Sequence, residues 1–126
     1  RVIVMYGGKI VEKGTVQEIF YDTAHPYTKG LIGSIAKLDT KKGERLQSIE
    51  GTPPDLFFPP KGCPFAARCE YAMDVCKDEP PYQYKLTDVH FTNWWLQNEY
   101  APDTDMKKDN AVAIEAKKEG EVKADE

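Results

Sequence analysis

Cys63, Cys69 and Cys76 are the only cysteines in this 126-residue chain, and they follow one another with C-x5-C-x6-C spacing. Pro53, Pro54, Pro59 and Pro60 lead into them. Three thiols this close, beside rigid turns, read as a soft-metal ligand cluster or as its remnant. A tetrahedral zinc site or a cubane iron–sulfur cluster takes four protein donors, and the run supplies no obvious fourth. The odd count argues against a closed disulfide framework and for a reducing, cytoplasmic compartment. Other reactive pairings are scarce: Cys63 with His90 is the one nucleophile–base pair to consider, and no Ser/His/Asp set stands out. His25 precedes Pro26. It reads either as a ligand or base, or as a residue that caps a helix or packs at a join.

Short elements must hold these residues. Residues 2–6 (VIVMY) and 9–13 (KIVEK) flank Gly7-Gly8, the pattern of a β-hairpin whose tight turn needs positive φ. Gly14 ends the second run, and Thr15 with Glu18 forms a T-x-x-E capping box that predicts a helix from Val16 to about Phe20. Pro26 suits a first helical turn. Tyr27, Leu31, Ile32, Ile35 and Leu38 then recur at helical spacing and predict one buried stripe. Gly30 and Gly33 weaken that helix and permit close backbone approach. Residues 39–44 read as a loop and 45–49 as a strand. Four prolines forbid regular structure over 51–62, and 66–76 has room for one or two helical turns. Residues 82–86 and 90–96 are β-prone and are expected to pair with each other or with 45–49. In that reading Trp94 and Trp95 face opposite sides of a strand, one in the core and one at its rim. Phe57 and Phe58 read either as a pre-ordered docking loop or as a cover for the domain's own core. The fold class is α+β: a small irregular, proline-rich domain with a hairpin, two N-terminal helices and a few short strands.

Charge narrows the partners. The chain holds 17 Lys/Arg and 21 Asp/Glu for a net charge of -4, without a basic stripe, so nucleic acid is a poor partner. No apolar run approaches the ~18 residues that cross a bilayer. Residues 103–126 are rich in Lys, Glu, Asp and Ala and hold no aromatic, and read as a solvated, disordered tail. The chain opens on Arg1 inside what already reads as a strand, as a piece of a larger protein would.

Several of these pieces together resemble one family. RVIVMYGGKIVEKGTVQEIF is similar to the last hairpin and following helix of an ABC transporter nucleotide-binding domain. HPYTKGLIGSI, then GTPPDLFFPPKGCPFAARC, YAMDVC and EPP, resembles the C-terminal extension of oligopeptide and dipeptide ABC importer ATPases. The resemblance covers residues 1 to about 102. It implies three parts: residues 1–24 as the end of the nucleotide-binding domain, 25–102 as the extension, and 103–126 as the tail. It implies a parent ATPase that uses ATP and Mg²⁺, peripheral on the cytoplasmic face of the cell membrane. Its partners would be a second ATPase subunit, transmembrane permease subunits and, indirectly, an extracytoplasmic peptide-binding protein. This sequence has no G-x-x-x-x-G-K-[ST] loop to cradle phosphates and no LSGGQ-like signature. The stretch is therefore expected to be catalytically silent, an accessory or regulatory segment. The family's switch histidine would lie upstream of Arg1, and His25 is not that residue.

Some members of this family carry an iron–sulfur cluster on four cysteines. The resemblance sets Cys63, Cys69 and Cys76 at the first three positions and Trp94 where the fourth would stand. Three readings follow. The metal is lost and the indole fills its space; or a cluster or zinc persists with His90 or a carboxylate such as Asp74 as fourth ligand; or two of the thiols form a disulfide. The rival to the importer reading is an autonomous metal or iron–sulfur module with a redox role.

Overall fold

Gly7 and Gly8 take φ of 56° and 78°, the left-handed pair that a two-residue type I′ turn requires. They close a hairpin of β1 (Val2–Tyr6) and β2 (Lys9–Gly14). The computed structural model describes residues 1–35, 41–43 and 45–107. Within them the hairpin belongs to a four-stranded antiparallel sheet ordered β1-β2-β4-β3, with β3 at Tyr84–Lys85 and β4 at Phe91–Thr92. The α+β expectation holds. β4 lies against β2, pairing Thr92 with Glu12 and Phe91 with Lys13, so the far end of the chain closes onto its beginning.

Helix α1 (Val16–Tyr21) starts at the expected capping box. Glu18 N–H donates to Thr15 Oγ1 at 3.2 Å, and Thr15 N–H donates to Glu18 Oε2 at 3.0 Å. Helix α2 (Pro26–Gly33) starts at His25, whose Nδ1 accepts the Tyr27 N–H at 3.1 Å. Its apolar stripe is less buried than its spacing predicts. Tyr27 and Ile32 are half-buried, Leu31 and Ile35 are exposed, and Thr28 is the helix's buried residue. Leu38 lies outside the described residues. The packing face of α2 is instead backbone at Gly30, where a Cβ would stand 2.7 Å from Ile49 Cγ1. Ile49 fills that notch.

No strand forms over 45–50. The Arg68 side chain holds the backbone of this segment in place of sheet pairing. Arg68 donates from Nε to Glu50 O at 2.9 Å, from Nη2 to Ile49 O at 2.8 Å and from Nη1 to Tyr6 Oη at 3.3 Å. The 82–86 and 90–96 expectations shrink to two residues each. β4 stops because the chain turns at Trp94 into a 3-10 turn, Trp95–Gln97. This also corrects the tryptophan reading, because both are buried and they enter different clusters. Trp95 joins Tyr6, Val11, Cys63, Phe65 and Cys76; Trp94 joins Leu96 and Met106. Met106 is 3 % exposed, so residues 103–107 are not all solvated tail: its side chain packs with Trp94 and Leu96. Residues 108–126 lie outside the described residues. Helix α3 (Asp74–Asp78) follows the loop that carries Cys69. Phe57 and Phe58 are exposed and cover no core.

Candidate functional site

The cysteine loop is built by close backbone approach. Cys63 N–H donates to Cys76 O at 2.7 Å. A Cβ on Gly62 would stand 2.3 Å from that same Cys76 oxygen, so only glycine lets the two segments meet here. Met73 N–H donates to Cys76 Sγ at 3.4 Å. Cys63 and Cys76 are buried, Cys69 is half-buried and all three are free thiols. Burial pushes the Cys63 thiol up, and it lifts Cys69 to about 11, with the neighbouring Cys63 and Cys76 adding to the shift. The neighbouring Trp94 side chain opposes a little of that rise. The Cys63 and Cys69 thiols are therefore protonated near neutral pH and poor nucleophiles.

The expected fourth ligands are engaged elsewhere. His90 Nε2 donates to Glu12 Oε1 at 2.7 Å, with both side chains buried. That bond occupies Nε2, and His90 is not grouped with the thiols among the described residues. Asp74 stands in solvent, 3.9 Å from Lys77 Nζ. Trp94 reaches Cys69 with an indole, which donates N–H and has no usable lone pair. Among the described residues no group of three or more His, Cys, Asp or Glu side chains is placed to hold a metal ion. The donor set does not fit a four-thiolate cluster or a Cys₃His zinc.

A second arrangement was not expected from the sequence. The Glu12 carboxylate is 1 % exposed and accepts three hydrogen bonds. Ala24 N–H and His90 Nε2 bind Oε1 at 2.8 and 2.7 Å, and His25 N–H binds Oε2 at 3.1 Å. One side chain thus ties β2, the entry to α2 and the entry to β4. Thr87 extends the tie, since its Oγ1 donates to Glu18 Oε1 at 2.7 Å and accepts the His90 N–H at 3.0 Å. His25, at the centre of this joint, packs against Phe65 and Trp94 with ring centroids 5.7 and 6.5 Å away. Its Nδ1 accepts the hydrogen bond from the Tyr27 N–H, so the neutral ring carries its hydrogen on Nε2, which finds no partner of good geometry. Burial lowers its pKa to about 3, with the Asn93 backbone opposing the shift. His25 is therefore a cap and packing residue at the join, not a base.

Residues 11–76 match the family described as the oligopeptide/dipeptide transporter, C-terminal region. The chain belongs to that family. The matched span opens one residue before Glu12 and closes on Cys76, so it holds the carboxylate of the joint and all three thiols. His90 and Trp94 lie beyond it.

Individual relatives agree. The dipeptide transport ATP-binding protein DppD of Bacillus subtilis is 55% identical over 101 residues, covering 80% of this chain and 30% of that protein. The oligopeptide transport ATP-binding protein OppD of the same organism is 48% identical over 117 residues, 93% of this chain and 32% of its own length. The oligopeptide transport ATP-binding protein AmiE of Streptococcus pneumoniae is 46% identical over 102 residues, 81% of this chain and 28% of its length. The chain thus spans about a third of the length of the curated relatives it matches. Among the described residues no helix is long and apolar enough to cross a membrane.

Proposed function

We propose that this chain is the C-terminal accessory part of the ATP-binding subunit of an oligopeptide or dipeptide ABC importer. The observation that carries the reading is the family match over residues 11–76, together with relatives named as dipeptide and oligopeptide transport ATP-binding proteins. Residues 1–24 end the nucleotide-binding domain, and 25–102 form the extension. The whole subunit binds ATP with Mg²⁺, pairs with a second ATPase subunit and works under the permease on the cytoplasmic face of the membrane. An extracytoplasmic binding protein delivers the peptide.

In this reading the stretch does no phosphate chemistry. Its task is structural and regulatory, and Glu12 is the feature that suits it: a buried carboxylate fixes the extension to the hairpin. The thiols act as small packing groups around which the 62–76 loop closes, and Trp94 fills the space beside Cys69.

A chimera tests the proposal. This chain replaces the matching third of the Bacillus subtilis dipeptide relative, and growth on a dipeptide as sole source of a required amino acid is measured. Growth supported by the chimera is the expected result. A chimera that accumulates, binds ATP and supports no growth would overturn the reading.

A further inference from the structure

Leu56, Phe57 and Phe58 are 69 %, 92 % and 83 % exposed. Consecutive large apolar side chains standing in water mark an interaction surface. The loop that presents them is ordered in advance. Pro53-Pro54 and Pro59-Pro60 bracket it, and Phe57 N–H donates to Asp55 Oδ1 at 2.9 Å. It is also seated on the hairpin tip, where a Cβ on Gly7 would stand 3.1 Å from Pro64 and 3.2 Å from Pro54. Little ordering entropy remains to be lost on binding. Beside the exposed rings lies a cleft of about 490 Å³. Phe58 forms one wall, and Pro54, Pro60, Pro64, Ala66 and Ala67 supply much of the apolar remainder.

We propose that this face is a self-association surface, on which a second copy of the chain docks about a two-fold axis with Phe57 of each copy entering the cleft of the other. The occupant follows from three features. A two-fold interface needs one patch that is complementary to itself, and here an apolar knob and an apolar socket lie side by side. The area suffices: Phe57 and Phe58 bring on the order of 300–500 Å² per copy. Doubled across the axis, with Leu56 and the socket walls added, this reaches roughly the 1,200 Å² at which specific interfaces begin. The charge also suits self-pairing, because the cleft carries one residue of each sign, Asp55 and Lys77, and the axis can set each against its opposite. The inference concerns a surface apart from the Glu12 joint and does not depend on the importer reading.

Sedimentation equilibrium of the purified protein tests it, from about 1 to 100 µM, a range that brackets a micromolar Kd. A concentration-dependent dimer is expected. Phe57→Ser removes the knob and Ala67→Arg fills the socket; both sites are exposed, so both variants should keep the parent circular dichroism. Each is expected to weaken association at least tenfold. A protein that stays monomeric across the range overturns the proposal, as does a dimer that both variants leave unchanged. Phe57 engaged by a different macromolecule would appear as the first of these outcomes.

Discussion

Glu12 Oε1 and His90 Nε2 meet at 2.7 Å across 78 residues of sequence, in a site that is closed to solvent. The same carboxylate holds the backbone of Ala24 and His25. A buried carboxylate is costly unless its hydrogen bonds are complete. Here they come from three separate segments, so the charge is tolerable only when the hairpin, α2 and β4 are all in place. That is the physical sense in which Glu12 specifies the joint between the hairpin and the rest of the extension.

Glu12→Ala strands these donors in the interior and is expected to destabilise the protein by about 3–5 kcal/mol, read from urea midpoints. Glu12→Gln keeps an acceptor of the same shape and should cost markedly less. In a double-mutant cycle, His90→Ala should be far less harmful once Glu12 is already alanine. Additive effects of the two substitutions would show that the pair is not coupled.

Glu12 also shows where the sequence stops being legible. The hairpin, both first helices and the capping box are set by local chemistry: Gly7-Gly8, Thr15 with Glu18, and His25-Pro26. Strict alternation puts Val11 and Glu12 on opposite faces, and Val11 is apolar, so the carboxylate reads as solvent-facing. The structure buries both, because the β1–β2 register shifts between Val4 and Met5 and pairs Met5 with Ile10. A bulge of this kind has no signature in alternation. The same limit hid the 45–50 segment, whose anchor is Arg68 rather than sheet pairing. The cysteine loop was legible as a cluster, but not the engagement of His90 by a residue from the hairpin.

His25 should make the protein acid-sensitive in a defined window. Its folded pKa is about 3, against roughly 6.5 in an unfolded chain. Its contribution is complete above about pH 6.5. Below that the unfolded state binds the extra proton, so stability falls as pH falls, until the folded pKa is reached. The slope is at most ~1.4 kcal/mol per pH unit. Asparagine can still cap α2 and does not titrate. Unfolding free energies of His25→Asn should therefore fall less steeply than those of the parent between about pH 6 and 4. Parallel pH profiles would remove His25 from the account.

Met106 ties residues 103–107 to the Trp94 cluster, and Lys107 Nζ reinforces the tie by donating to Asn98 O at 2.9 Å and Ala101 O at 3.3 Å. Met106→Ala is expected to cost about 2 kcal/mol or more and to lower the melting temperature by on the order of 10 °C. Met106→Leu conserves volume and should cost less than about 1.5 kcal/mol. An alanine variant that melts with the parent would return these residues to the solvated tail that composition alone suggests.

Trp94 is the position at which metal chemistry can be restored or ruled out. It is 4 % exposed, it packs edge-on against Tyr71 with ring centroids 5.6 Å apart, and its side chain lies beside Cys69. A thiol at this position would join Cys63, Cys69 and Cys76 as the fourth that a cubane cluster needs. Trp94→Cys, reconstituted anaerobically with iron and sulfide, is expected to turn brown and bind iron, while the parent treated identically stays colourless. Loss of the indole should cost about 3–5 kcal/mol, so circular dichroism must first show that the variant is folded. Trp94→Ala supplies the matching control, with the same space opened and no thiol added. A folded cysteine variant that takes up no more iron than the alanine variant would mean that the loop around Gly62 and Cys76 is shaped for packing alone. A parent that takes up iron as well as the cysteine variant does would mean that a fourth donor other than residue 94 completes the site.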